Sequence, residues 1–147
     1  MNDIKIELAK GLENIPAAQA IRQKVFVEEQ GFRDEFDDLD QTCWHLLCEE
    51  NGNPMACARI FPEEGDCWHI GRVAVCKECR GTGLGAAVMA ACHQKIAELG
   101  GRRAVLSAQE QAVGFYEKQG YRVTSESYLD QHCPHRGMER PVAASEI

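Results

Sequence analysis

Apolar and polar residues alternate over Ile4-Lys5-Ile6-Glu7-Leu8, a period-two pattern that predicts a first strand. Pro16 opens a helical stretch that runs to about Gln30; proline suits a first helical turn, and Gly31 stands where the helix would close. Arg33 to Asp40 is acidic and loop-like. Trp44 to Glu49 and Met55 to Phe61 read as partner strands joined through Asn51-Gly52-Asn53-Pro54, a hairpin turn signal. After a turn at Pro62 to Asp66, Cys67 to Val75 reads as a third antiparallel run. Leu84, Val88, Ala91/Cys92, Ile96 and Leu99 recur at helical spacing and predict a central helix ended by Gly100-Gly101. Ala104 to Ala108 is a short apolar strand, and Gln111 to Gln119 a short helix closed by Gly120. Tyr121 to Tyr128 and Gly137 to Arg140 read as two final strands. Val142 to Ile147 reads as a frayed tail, with 141–147 flexible.

This order predicts an α/β fold with a mixed, mostly antiparallel sheet and flanking helices. One crossover, through the central helix, is expected to be parallel and right-handed. No repeat or linker interrupts the chain, and 147 residues suit a single domain spanning 1–147. A net charge of −7 argues against a nucleic-acid partner and favours cationic small molecules, if anything. No apolar run approaches the roughly 20 residues a membrane span needs. Met1-Asn2-Asp3-Ile4-Lys5 lacks a basic segment followed by an apolar one, so the expected location is the cytoplasm, away from any membrane. Eight cysteines lie largely within apolar runs, where reduced, buried thiols are expected.

The chemistry concentrates at Arg80-Gly81-Thr82-Gly83-Leu84-Gly85, between a strand pattern and a helix pattern. The glycines free the backbone to turn tightly and approach a ligand. The following helix aims unpaired N–H groups and its positive dipole end into the turn. Arg80 adds a fixed charge with a two-pronged donor fork. Together they predict a cradle for a phosphate or pyrophosphate. The spacing is neither the dinucleotide fingerprint nor a P-loop. Just upstream, Cys76-x-x-Cys79 has no second matching pair, so no metal site is expected there. Arg80 and the helix N-terminus would make one of these thiols unusually reactive.

About 25 residues later comes Gln109-Glu110-Gln111-Ala112-Val113-Gly114-Phe115-Tyr116-Glu117-Lys118-Gln119-Gly120-Tyr121. With these two segments the chain resembles the GNAT family of acyl-CoA-dependent N-acetyltransferases. Arg80, Gly83 and Gly85 match that family's phosphate turn, and Ala112, Phe115, Tyr116, Gly120 and Tyr121 match its next element. Gln109 stands where the family often has asparagine, a modest departure. Ile21 to Gly31, Tyr128-Leu129 and Pro134 to Met138 resemble the ElaA/YjcF-like branch.

The resemblance implies a GNAT-like single-domain fold whose sheet splays around an acyl-CoA slot. It implies acetyl-CoA as co-substrate, an amine as acceptor, and direct acetyl transfer; dimerisation is common in the family. A bulged strand would present Val73, Ala74 and Val75 to the pantetheine arm and the thioester carbonyl. Arg80, Gly81, Thr82, Gly83, Leu84 and Gly85 would hold the pyrophosphate, while Gln109, Phe115 and Tyr116 would complete the cofactor site. Tyr116 is the expected general acid. Glu29, His69 and His135 are candidates for the general base. Asp34 to Asp40 reads as a solvated loop, with a role in holding a cationic amine as the alternative. The competing function is a non-catalytic acyl-CoA-binding sensor or regulatory module. The acceptor is not specified by these residues.

Overall fold

The computed structural model describes residues 3–147. Met1 and Asn2, on which part of the N-terminal reading rests, lie outside the described residues. The strands are β1 (Ile4–Lys10), β2 (Trp44–Glu50), β3 (Asn53–Pro62), β4 (Cys67–Val75), β5 (Arg103–Gln109), β6 (Arg122–Val123), β7 (Tyr128–Asp130) and β8 (Cys133–Pro141). The helices are α1 (Pro16–Arg22), α2 (Leu84–Glu98) and α3 (Val113–Glu117). One mixed sheet runs β1-β2-β3-β4-β5-β8-β6, with β7 on β8. The chain divides into two compact units, 1–61 with 72–92 and 62–71 with 93–147, so β4 and α2 belong to both.

In the first unit, β1 and β2 pair antiparallel from Ile4↔Glu50 to Lys10↔Trp44. β2 and β3 form the expected hairpin, and Asn51 and Gly52 both take positive φ, 54° and 82°, as a tight twisted turn requires. His45, Leu46, Leu47 and Cys48 are consecutively buried, so β2 is covered on both faces. α1 does not continue to Gln30 as an α-helix. From Gln23 to Glu29 it widens to π winding. Gly31, at φ 74°, closes it, with the Phe32 N–H donating to the Phe26 carbonyl at 2.8 Å.

In the second unit, β4 pairs parallel with β5 at Cys67↔Arg103, Trp68↔Ala104 and His69↔Val105, and β5 pairs antiparallel with β8 over its whole length. On α2 the stripe Leu84, Val88, Cys92 and Ile96 is buried, as its spacing predicts. Leu99 falls past the helix end and is exposed. The final segment contains three strands where two are expected. Ser125 Oγ accepts the Gly137 N–H at 2.8 Å. That bond ends the β6–β8 ladder, and the chain returns to β8 as the separate strand β7. The expected flexible tail is tied down instead. Val142 is buried and donates its N–H to the Arg102 carbonyl, and Glu146 pairs with Arg140 and accepts the Ala143 N–H.

Candidate active site

Past Val75 the chain makes a single 3-10 turn at Lys77–Cys79, then opens into the glycine segment. Gly81 and Gly83 have φ of 80° and 87°, values an L side chain rarely adopts. A Cβ at either position would meet nothing within 4 Å, so glycine is required there by conformation rather than crowding. Thr82 Oγ1 donates to the Cys79 carbonyl at 2.5 Å and pins the turn. Among the described residues, no acceptor takes the N–H groups of Gly81, Thr82 or Gly83. The first turn of α2, beginning at Leu84, adds further N–H groups without helical partners. The result is an exposed run of donors at a helix N-terminus, an environment that suits an anion.

Arg80 lies in this segment but its fork is occupied. Its Nη1 and Nη2 donate to Glu29 at 2.5 and 2.8 Å, and its Nε donates to the Val75 carbonyl at 3.1 Å. The guanidinium therefore clamps the turn to the end of β4 and to the π-wound segment. Its charge is balanced by Glu29. The hydrogen bonds from Arg80 hold the Glu29 carboxyl below its ordinary range. A carboxylate so stabilised is a weaker base, and this geometry speaks against Glu29 as the proton acceptor.

Upstream of Val73, Ala74 and Val75, Arg72 has φ 53°. For an L-residue this left-handed conformation costs roughly 1–2 kcal/mol. Inside a strand it turns the adjoining peptide units out of the regular alternation, as a bulge does.

The acidic segment is solvated only in part: Asp34, Asp37 and Asp38 are exposed, as its sequence pattern suggests, but two of its carboxylates are not. Glu35 and Asp40 are 7% and 4% exposed, and arginines take them in. Arg22, itself 1% exposed, reaches Glu35 at 3.0 Å and Asp40 at 2.7 Å. Arg59 reaches Asp37 at 2.7 Å and Asp40 at 2.9 Å, and Arg72 reaches Glu35 at 2.9 Å. Burial pushes the Glu35 carboxyl up. Burial opposes ionisation of Asp40 too, but hydrogen bonds from Arg22, the Asp37 backbone and Arg59 outweigh it and hold Asp40 at about 2. Asp37, Asp38 and Asp40 also line a cleft of about 320 Å³ with Leu12, Glu13 and Phe36. Donor atoms of Asp40, Cys43 and His45 lie within 4.8 Å of one another. The Asp40 oxygens accept from two guanidiniums, the His45 ring lies against the Asp40 carbonyl and the Cys43 thiol, and burial pushes that thiol up to about 11.

In the second unit, Tyr116 sits on α3 and is buried, its ring edge-on to Phe115 at 5.0 Å and to Tyr121 at 5.8 Å. Gln109 and His135 are direct cross-strand partners on β5 and β8. His135 is buried and stacks on Tyr128, with ring centroids 6.2 Å apart. Its Nδ1 donates to the Cys133 carbonyl at 2.9 Å, which places the lone pair of a neutral ring on Nε2. His69 lies on β4, with Nδ1 2.9 Å from Glu63. His93, not singled out from the sequence, is buried between Tyr121 and Arg140. Burial and then Arg140 lower its pKa to about 4, so it is a neutral structural group.

The expectation of a reactive Cys76 or Cys79 is overturned. Both are buried, and burial followed by the Glu78 carboxylate pushes both thiols up. Cys79 Sγ packs on Met55 Sδ at 2.9 Å.

A family model for the acetyltransferase (GNAT) domain matches residues 12–141. The uncharacterized N-acetyltransferase YjcF of Bacillus subtilis (strain 168) is 35% identical over 138 residues, 92% of this chain and 98% of that protein. The crystal structure of Escherichia coli ElaA superposes with a TM-score of 0.83 at 28% identity, covering 94% of this chain and 99% of that one. An acyl-CoA N-acyltransferase from Pseudomonas aeruginosa gives 0.82 at 28% identity, with the same coverage. Among the described residues, no helix is long and apolar enough to cross a membrane. With the family model spanning nearly the whole sequence and YjcF matched over 92% of it, the chain belongs to the GNAT acetyltransferases, in the branch that holds YjcF and ElaA.

Proposed function

We propose that this N-acyltransferase moves an acetyl group from acetyl-CoA to an amine by direct attack. The observation that carries the reading is the open turn at 81–83, whose unpartnered N–H groups meet the N-terminus of α2. The pyrophosphate of coenzyme A is the anion that suits it. Backbone donors supply the binding, because Arg80 is already clamped by Glu29. The backbone of Val73 to Val75 holds the pantetheine arm and stabilises the oxyanion that forms as the amine attacks the thioester carbon. The C–S bond then breaks, and Tyr116 delivers its phenolic proton to the departing thiolate. His135, a buried imidazole held on β8 by the Cys133 carbonyl, takes the proton from the attacking amine. One domain spanning 1–147 carries these roles, with no metal assigned to any step.

The direct test is thiol release from acetyl-CoA against a panel of primary amines. Tyr116→Phe is expected to lower kcat by about 10²-fold or more with KM for acetyl-CoA within threefold, the span positioned acids contribute. His135→Gln is expected to lower kcat by about 10²-fold with KM for acetyl-CoA little changed. Tight acetyl-CoA binding without release to any amine would replace the enzyme by a sensor.

Glu29→Gln separates the two roles of that residue. As partner of Arg80, its neutralisation leaves kcat within about threefold and tightens coenzyme A binding several-fold at low salt, because Arg80 regains its net charge. A fall of about 10²-fold in kcat would restore Glu29 as the base.

A further inference from the structure

Among the described residues, four non-glycine residues have positive φ: Asp34, Asn51, Arg72 and Gln131. Asp34, Asn51 and Gln131 lie in turns or bends, and Arg72 lies inside a strand. Asp and Asn tolerate this region through their short polar side chains; arginine has no such excuse. A strained residue persists where its surroundings over-determine it. At Arg72 the surroundings are a grip on the guanidinium. Nε lies 2.9 Å from Glu35 Oε2, Nη2 donates to the Glu35 carbonyl at 3.1 Å, and Nη2 reaches Asp37 Oδ2 at 3.4 Å.

The grip is itself anchored. Arg22 Nε holds Glu35 Oε2 at 3.0 Å, and Arg22 Nη2 holds the Glu35 carbonyl at 3.1 Å. Asp40 fixes Arg22 through both oxygens, at 2.7 and 3.0 Å, and Arg59 closes the set onto Asp37 and Asp40. Three arginines from α1, β3 and β4 thus converge on three carboxylates of one segment. The set meets β4 at Arg72, through Glu35 and Asp37. Its output is the backbone at residue 72, whose next residues are Val73, Ala74 and Val75.

We propose that Glu35, acting through Arg72, is a positioning residue that holds the strained backbone of β4 and so aims the Val73–Val75 peptide groups at the acyl thioester. The inference rests on the acyl-transfer reading for the chemical consequence, and on geometry alone for the backbone.

Arg72→Ala and Arg72→Gly form a matched pair. Both remove the guanidinium, but glycine adopts positive φ without penalty and alanine does not. A structural ion pair predicts equal loss in the two. Backbone positioning predicts that Arg72→Gly retains a kcat about 5- to 10-fold above Arg72→Ala, with KM for acetyl-CoA alike, since the glycine turn is untouched. Glu35→Gln is expected to lower kcat about 10-fold in the native chain and less than twofold in the Arg72→Gly background. Thermal melts confirm that each variant is folded, and Arg72→Lys replaces any that is not, with an intermediate kcat expected. Amide hydrogen exchange at Val73, Ala74 and Val75 reads the backbone without turnover: faster in Arg72→Ala than in Arg72→Gly. Equal exchange in those two overturns the inference. Unequal exchange in a protein that releases no thiol would sustain the positioning of β4 and fell the acyl-transfer reading instead.

Discussion

Gly83→Asp is expected to weaken coenzyme A binding by about 10²-fold or more, against a smaller loss for Gly83→Ala. The two substitutions share one difficulty and differ in another. Position 83 has φ 87°, and a Cβ there meets nothing within 4 Å, so the shared cost is conformational, not steric. For alanine that strain is roughly 1–2 kcal/mol, or 5- to 30-fold in affinity if it is expressed wholly in the bound state. Aspartate tolerates left-handed backbone better than alanine does, so on strain alone it would be the milder change. Its carboxylate, however, stands among the N–H groups proposed to receive the pyrophosphate. A charge pair 4 Å apart is worth about 4 kcal/mol at the effective dielectric of a protein surface. Half of that, added to residual strain, exceeds 10²-fold. The decisive comparison is therefore the order of the two variants in a calorimetric titration with coenzyme A. Alanine at or below aspartate in affinity would mean that charge plays no part, and native affinity in both would move the pyrophosphate off this turn.

The contrast between Gly83 and Arg80 shows how far this site is legible in a sequence. Glycine at 83 announces a backbone conformation, a local property, and the structure has it. The hairpin at Asn51-Gly52 and the stripe of α2 are legible for the same reason: each is settled by residues within a turn or two. Arg80 announces a charge, but whether that charge faces a ligand depends on Glu29, 51 positions away in sequence. The same distance hides the buried ion pairs. A trace of them exists: Arg22 continues the apolar spacing of Ala18, Ile21 and Val25, and Arg59 and Arg72 interrupt apolar strand runs. A cation at an apolar position implies a buried partner, and Asp34 to Asp40 is a conspicuous supply of partners. Read together, these features distinguish a gripped segment from a solvated one. The left-handed backbone at Arg72 leaves no such trace, because arginine has no preference for it.

Arg22→Met is expected to cost about 3–5 kcal/mol of stability at neutral pH, the range for removing one partner of a buried ion pair. Methionine keeps most of the buried volume, so the loss is electrostatic rather than a cavity. Glu35 loses the Nε contact and Asp40 loses the Nη1 and Nη2 contacts, leaving Arg59 and Arg72 to face three carboxylates. For a chain of this length the melting temperature should fall by roughly 10–15 °C. The pH dependence has a definite sign. In the native chain Asp40 titrates at about 2, below its ordinary 3.8, so its contribution is complete above 3.8 and is lost as pH falls through 2. Glu35, with its pKa raised by burial, opposes folding when ionised, and that penalty fades as pH falls through the raised pKa and is gone below the ordinary 4.5. Without Arg22 both carboxyls protonate at higher pH in the folded state, which relieves the uncompensated charge. His45, whose pKa burial lowers, and Asp37, held low by Arg59, are the other titrating groups facing the set, and Arg59 and Arg72 remain charged throughout. The gap between native and variant melting temperatures should therefore be widest at pH 7 and narrow below about pH 4.5. Circular dichroism melts at pH 7 and pH 4 measure it. A gap under about 3 °C at pH 7, or one that widens in acid, would mean that the acidic segment is not anchored through Arg22, and the grip on Arg72 would then need another source.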